Sequence, residues 1–283
     1  MVITHTKNTN IAKAPEAISS VINRYTDHRS FVVGYSYPNK LIRPDSNIVH
    51  QHNKVIETNK KSIIQYHSEP FRVDLDNDLP KMVIAQYHAT LREYDKCRIV
   101  RNPIDIYDMD FFPKYQDKVI RIGYSPSTIE PTSIWADKGY SETIPILNKL
   151  KELYKDKIEL DIITDVPLGE CLQRKSMCNI FIDEVKTSSY HRSGLESMAM
   201  GIATVCSMDK SVEEVLLRSS GAKNNPFINV YYHDLESKLI NLIESGLDDI
   251  LDIGYKTRLW METNWDPEVI ANEYIKIYEK WLD

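Results

Sequence analysis

The sequence contains no Walker loop, no G-x-S-x-G turn and no G-x-G-x-x-G fingerprint, so nothing in it supports a kinase, lipase or dehydrogenase reading. It has no run of about 18 apolar residues, the length a membrane-spanning helix requires. The N-terminus, Met1-Val2-Ile3-Thr4-His5-Thr6-Lys7, lacks the apolar core of a signal peptide, and a cytoplasmic location is expected. Cysteine is sparse: Cys97, Cys171, Cys178 and Cys206 form no C-x-x-C pair, which argues against a disulfide framework or a thiolate metal site. An excess of basic charge is also missing. The formal net charge is -6, unlike that of a dedicated nucleic-acid binder, although a local groove for a polyanionic acceptor stays open.

What is present is an ordinary globular mixture, 42% hydrophobic and 27% charged over 283 residues, enough for one large domain or two modest ones. Short β-branched runs alternate with helical periodicity, the pattern of an α/β chain with parallel sheets. A first series begins with a helix near Pro15, carrying Ile18, Val21, Ile22 and Tyr25 on one face. Strands are expected at Phe31–Val33, Asn47–Val49, Ser62–Tyr66, Met82–Ala85 and Arg98–Val100. The segment from Asp105 to Asp117 reads as a linker. A second series has strands at Val119–Tyr124, Ile158–Ile163, Asn179–Ile182, Ile202–Val205 and Phe227–Val230, with helices between them. The last helix, 266–282, places Ile270, Tyr274, Ile277, Tyr278 and Trp281 on one stripe and is a candidate to pack back on the N-terminal half.

In open α/β sheets ligands bind beyond the C-terminal strand ends, where helices start. The stretch Ser188 to Ile202 is such a place: a polar loop, then Ser193-Gly194 opening a helix that Gly201 ends after about two turns. A helix N-terminus favours an anion. Gly194 would let a phosphate approach, His191 and Arg192 would add positive charge, and the Glu196 carboxylate would accept two ribose hydroxyls. Ser193-x-x-Glu196 is equally a capping box whose side chains serve only their own helix end.

Several pieces resemble glycosyltransferase family 4, in that family's order. Leu195-Glu196-Ser197-Met198-Ala199-Met200-Gly201-Ile202-Ala203-Thr204-Val205 resembles its "LEAMAxGxPVI" stretch. Asn10 to Pro15 resembles an "N-x-A-G-A-P" loop, with Lys13 in the place of glycine and Ala14 following. Ile63 to Pro70 resembles a strand leading to a histidine, here His67. Val100-Arg101-Asn102-Pro103-Ile104-Asp105 resembles "V-x-N-P-I-D", and Tyr124 to Ser127 with Lys138-Gly139 resembles "H-x-P-S…K-G".

The resemblance implies the GT-B fold, two Rossmann-like domains facing across a cleft, here 1–115 on the acceptor side and 116–283 on the nucleotide-sugar side. It implies a glycosyltransferase that moves a sugar from a nucleotide-diphosphate donor, UDP-sugar among the candidates, to an acceptor hydroxyl, retaining configuration and needing no metal or other cofactor. In that scheme Glu196 holds the ribose, and Gly194 and Leu195 offer N–H groups to the diphosphate. Lys138 neutralises the leaving diphosphate, and His67 sits near the transferred sugar. Ser125, Ser127, His191, Arg192 and Ser193 would line the donor site, and Lys13, Ala14 and Asn102 the acceptor side. Read alone, Lys138 is also an ordinary surface lysine and His67 an ordinary structural histidine. The family often carries a second glutamate where this chain has Ser188, so the groups holding the sugar hydroxyls are unassigned; Asp183 or Glu184 are candidates. That gap favours one rival, a non-catalytic nucleotide-sugar-binding subunit; a second rival, a nucleotide-sugar epimerase of the same fold, follows from the fold serving more than one reaction. The acceptor stays open: glycan, lipid-linked sugar, protein or modified nucleic-acid base.

Two motifs stand apart. His50-x-His52 places two imidazoles on one strand face, but no third ligand is near in sequence, so no metal is expected. Lys60-Lys61 and Arg174-Lys175 are expected on solvated faces.

Overall fold

The computed structural model describes residues 1–7, 11, 13–34, 42–114, 119–126, 128–130 and 137–283. They form two compact units, one of Met1–Asp105 with Val215–Gly221 and Trp265–Asp283, the other of Ile106–Glu214 and Ala222–Asn264.

The first unit is built on a six-stranded sheet in the order β2-β1-β3-β4-β5-β6. Its strands are β1 (Val2–Thr6), β2 (Arg29–Val33), β3 (Ile48–His52), β4 (Lys61–Tyr66), β5 (Lys81–Ile84) and β6 (Arg98–Val100), all paired in parallel. β1, second from one edge, is a strand that the sequence reading missed. It is wholly buried, yet Thr4, His5 and Thr6 interrupt its apolar run, and that run is the signal used to find buried strands. Helix α1 (Ala14–Tyr25) has Pro15 in its first turn and buries Ile18, Val21 and Ile22. The residue ahead of it, Lys13, is left-handed at φ 60°, a conformation that suits glycine.

The second unit has a five-stranded parallel sheet in the order β11-β10-β9-β7-β8. Its strands are β7 (Ile120–Tyr124), β8 (Ile158–Ile162), β9 (Ile180–Glu184), β10 (Ala203–Cys206) and β11 (Ile228–Asn229), the last half as long as its sequence suggested. Helices α2 (Tyr140–Tyr154), α3 (Leu168–Lys175), α4 (Arg192–Ala199), α6 (Leu235–Ser245) and α7 (Leu247–Asn264) connect and cover the strands, while α5 (Lys210–Ser220) starts in this unit and belongs to the first from Val215 on. The core joins Ile122, Leu147, Leu150, Ile180, Ile182, Val205, Leu239 and Ile250 from sheet and helices.

The end of α4 is fixed by α7. Gly201 turns the chain at φ +71°, a left-handed residue past the helix end. A Cβ on Gly254 would stand 2.1 Å from the Gly201 carbonyl oxygen, so only glycine lets α7 lie this close. Arg258, one turn on, donates to the Ile106, Phe111 and Ala199 carbonyls, satisfying one of the α4 carbonyls left over at a helix end.

The last helix, α8 (Pro267–Leu282), belongs to the first unit and packs on α1. Asp266 caps it, accepting from the Glu268 and Val269 N–H groups, with Pro267 behind the cap, a standard start signal. Ile270, Tyr274, Ile277 and Tyr278 are buried, whereas Trp281, expected on the same stripe, is exposed.

Candidate functional site

The C-terminal ends of β7 and β9, with the start of α4, gather a dense set of charges. β9 ends in Asp183 and Glu184, both fully buried, and α4 begins at Arg192 after the extended residue His191. Asp183 accepts the His191 backbone N–H at 2.6 Å and pairs with the Lys138 ammonium at 3.3 Å. Burial alone would raise its pKa, but Lys138 and His191 outweigh burial and hold the carboxyl ionised, below its ordinary range. Lys138 is only 5% exposed, so the surface-lysine reading is wrong. Gly139 follows at φ +80°, where a Cβ would strike Val185. The Lys138 carbonyl is held by the Tyr124 hydroxyl and the Val185 N–H.

Glu196 is the second buried carboxylate. It accepts from Lys175 Nζ at 2.8 Å and from Arg192 Nε at 3.0 Å, and these two cations overcome burial to lower its pKa. Lys175, expected in solvent, has no exposed surface. Its ammonium also donates to the Ser193 hydroxyl and carbonyl and lies 4.8 Å from the Phe181 ring centre. The capping box does not form: the helix starts at Arg192, two residues earlier than that box requires, so Ser193 is its second residue, and no side chain caps α4.

Two roles read from sequence change with the geometry. Gly194 and Leu195 direct their N–H groups to the His191 carbonyl, inside the helix, so the outward N–H of the first turn is that of Ser193. Gly194 is required for a different reason: a Cβ there would stand 2.6 Å from the Asp183 carboxylate. The missing side chain admits Asp183, not a phosphate. Glu184, a candidate for sugar hydroxyls, is instead occupied by the loop that follows. It accepts from the Lys186 N–H and from the Thr187 N–H and hydroxyl, and burial raises its pKa to about 7. Ser188, at φ 56°, closes that loop.

Ser125 follows β7 at the same sheet edge, its hydroxyl 3.7 Å from the Cys171 sulfur; Ser127 lies outside the described residues. A groove of about 230 Å³ opens at the end of β11, lined in part by Asn229, Tyr231, Asp234 and Lys238. None of the residues singled out from the sequence lines it.

In the first unit the acceptor-side residues separate. Lys13 is exposed, Ala14 is buried in the first turn of α1, and Asn10 and Ala12 lie outside the described residues. The Asn102 carbonyl accepts from the Trp265 indole at 3.0 Å. His67, half-buried just past β4, shares a hydrogen bond of 2.9 Å with His52. Behind it His52 meets His5 at 3.2 Å, and His50 meets the Tyr278 hydroxyl at 2.7 Å. Enclosure pushes the pKa of His67 down, and that of His5 to about 3. Sequence reasoning missed His5, Lys175 and the structural part of Asp183. The pairing of His5 with His50 crosses 45 residues, and Lys175 sits at a helix end where lysine is ordinarily solvated.

No family model and no curated protein sequence matches the chain. Solved structures do. A glycosyltransferase from Rickettsia africae is 14% identical, covering 100% of this chain and 98% of its own at a TM-score of 0.61. Anabaena HepE, solved with UDP and glucose, is 11% identical over 99% of this chain and 100% of its own, with a TM-score of 0.62. Sucrose-phosphate synthase from Thermosynechococcus elongatus is 11% identical over 99% and 98%, also at 0.62. At such identities the likeness is one of architecture. With its two parallel α/β sheets, the chain has the GT-B fold of these glycosyltransferases.

Proposed function

We propose that the chain is a retaining glycosyltransferase that transfers a sugar from a nucleotide-diphosphate donor to an acceptor hydroxyl without a metal in the donor site. The observation that carries the reading is the start of α4. There Lys138, Lys175 and Arg192 converge on two buried carboxylates, Asp183 and Glu196, at a helix end that favours anions. A UDP-sugar is the favoured donor, since HepE, of like fold, has been solved with UDP-glucose.

In this reading Glu196, ionised and held by Lys175 and Arg192, accepts the ribose hydroxyls. The charge to be stabilised is the one that develops on the departing diphosphate. Lys138, Arg192 and the Ser193 N–H are preorganised donors for it, and such donors are worth most where water is excluded. No carboxylate is assigned as a nucleophile, so no covalent glycosyl-enzyme is invoked. His67, hydrogen-bonded to His52 and with its pKa pushed down, is assigned to the acceptor side as a hydrogen-bonding group, not as a cation.

A second reading has its own support. Ser188 offers no carboxylate, and Glu184 is engaged by Lys186 and Thr187, which fits a subunit that binds donor without turning it over. A thermal-shift panel of UDP-, GDP-, ADP- and dTDP-sugars tests both. A ligand at about 100 times its Kd adds about 2.7 kcal/mol of stability. Glu196→Gln is the informative variant, because it removes the carboxylate charge without the hole that Glu196→Ala leaves. Stabilisation of the wild type by one nucleotide family, lost in Glu196→Gln, supports the donor site; slow donor hydrolysis then separates the enzyme from the silent subunit. No shift with any nucleotide sugar rejects the site.

A further inference from the structure

We propose that His5, His50 and His52 form a buried site for one transition-metal ion of the zinc class. The proposal concerns the first unit alone and does not rest on the donor-site reading.

The placement follows from register. His5 on β1 pairs directly with His50 on β3, so both side chains leave the same sheet face, and His52, two residues on, returns to it. One ring nitrogen from each of the three lies within 4.8 Å of the other two. His5 Nδ1 and His52 Nε2 are 3.2 Å apart. Two nitrogens bound to a tetrahedral zinc at about 2.0–2.1 Å stand about 3.3 Å from each other, so this pair already has ligand spacing.

The hydrogen bonds around the rings fit ligation better than they fit an apo core. His50 Nε2, the atom that would face the ion, is buried and makes no well-formed hydrogen bond, with the Gln65 side chain beside the ring; His5 Nε2 is unpartnered with or without a metal, because His5 ligates through Nδ1. If His50 ligates through Nε2, its Nδ1–H donates to the Tyr278 hydroxyl at 2.7 Å. If His52 ligates through Nε2, its Nδ1–H donates to His67 Nε2 at 2.9 Å. Two of the three ligands therefore own the outer partner that fixes a metal-bound imidazole's tautomer. Three imidazoles without carboxylate or thiolate select zinc, copper or nickel over magnesium or calcium. Water or hydroxide completes the shell, reaching it past His67, the partly exposed member of the row. The ion would bind β1 to β3 and, through Tyr278, to α8.

The test uses the full chain, purified without a histidine tag, stripped with chelator and titrated with zinc chloride. One equivalent should bind per chain and raise the melting temperature. Tyr278→Phe should weaken binding about 10-fold to 100-fold, whereas His67→Gln should keep the stoichiometry. His50→Gln should abolish binding. Should that variant fail to fold, cobalt substitution and X-ray absorption of the wild type decide: tetrahedral cobalt bands and a nitrogen-dominated shell support the site. Absence of stoichiometric zinc, copper or nickel binding overturns the proposal. So does a shell with sulfur or six oxygens, or a folded His50→Gln variant that binds as the wild type does.

Discussion

Replacing Lys175 by methionine tests whether a buried ion pair organises the start of α4. Lys175 has no exposed surface, and its ammonium lies 2.8 Å from Glu196. The methionine side chain fills much the same volume, so the substitution removes charge more than packing. Glu196 would then be a buried carboxylate with Arg192 alone as counter-charge. Breaking a buried pair by removing one partner costs about 3–5 kcal/mol, and the remaining Arg192 bond places the expectation near 3 kcal/mol. For a unit of this size that is roughly 6–12 °C in Tm. Glu196→Gln in the same background removes the stranded charge, and the double variant should recover about 2 kcal/mol relative to additivity. Urea unfolding of the wild type, both single variants and the double variant gives the cycle. A single-variant loss below about 1 kcal/mol, or strict additivity, would refute the pairing as an organising contact.

Glu184 predicts a pH dependence. Its pKa is raised in the fold from 4.5 to about 7, so its contribution is full below pH 4.5 and is lost as pH rises through 7. That amounts to about 3 kcal/mol between pH 4.5 and 8, and unfolding curves should show the wild type losing this much more than Glu184→Gln over that range. Gly254→Ala should cost about 3 kcal/mol or more, because its Cβ meets the rigid Gly201 backbone, although alanine is the better helix former; an unchanged Tm would show that α7 can shift. Lys13→Gly should stabilise the chain by up to about 1 kcal/mol, relieving a left-handed lysine at φ 60°, since its ion pair with Glu16 is exposed and 3.9 Å long; calorimetry would reveal the rise, and a fall would mean the pair or unfolded-state entropy dominates.

Much of the architecture was legible because periodicity survives in the chain. The run Val119 to Tyr124, the stripe of Leu147 and Leu150, and the abrupt stop at Gly201 each follow from local rules of burial and turn geometry. The region around 188–202 was legible too, since a polar loop before a short helix marks a strand-to-helix junction on any parallel sheet. Side-chain partnership was not. Whether Lys175 faces water or Glu196 depends on where α3 lies against α4, which no local pattern encodes. Gly194 looked like a phosphate doorway until Asp183 was found against its Cα. The sequence by itself determined the alternation of strands and helices and the glycines that punctuate them, because these depend on neighbours a few residues away. Only the tertiary structure decided that His5 joins His50 and His52, and that Lys138 and Lys175 are buried, because burial and charge pairing are set by residues distant in sequence.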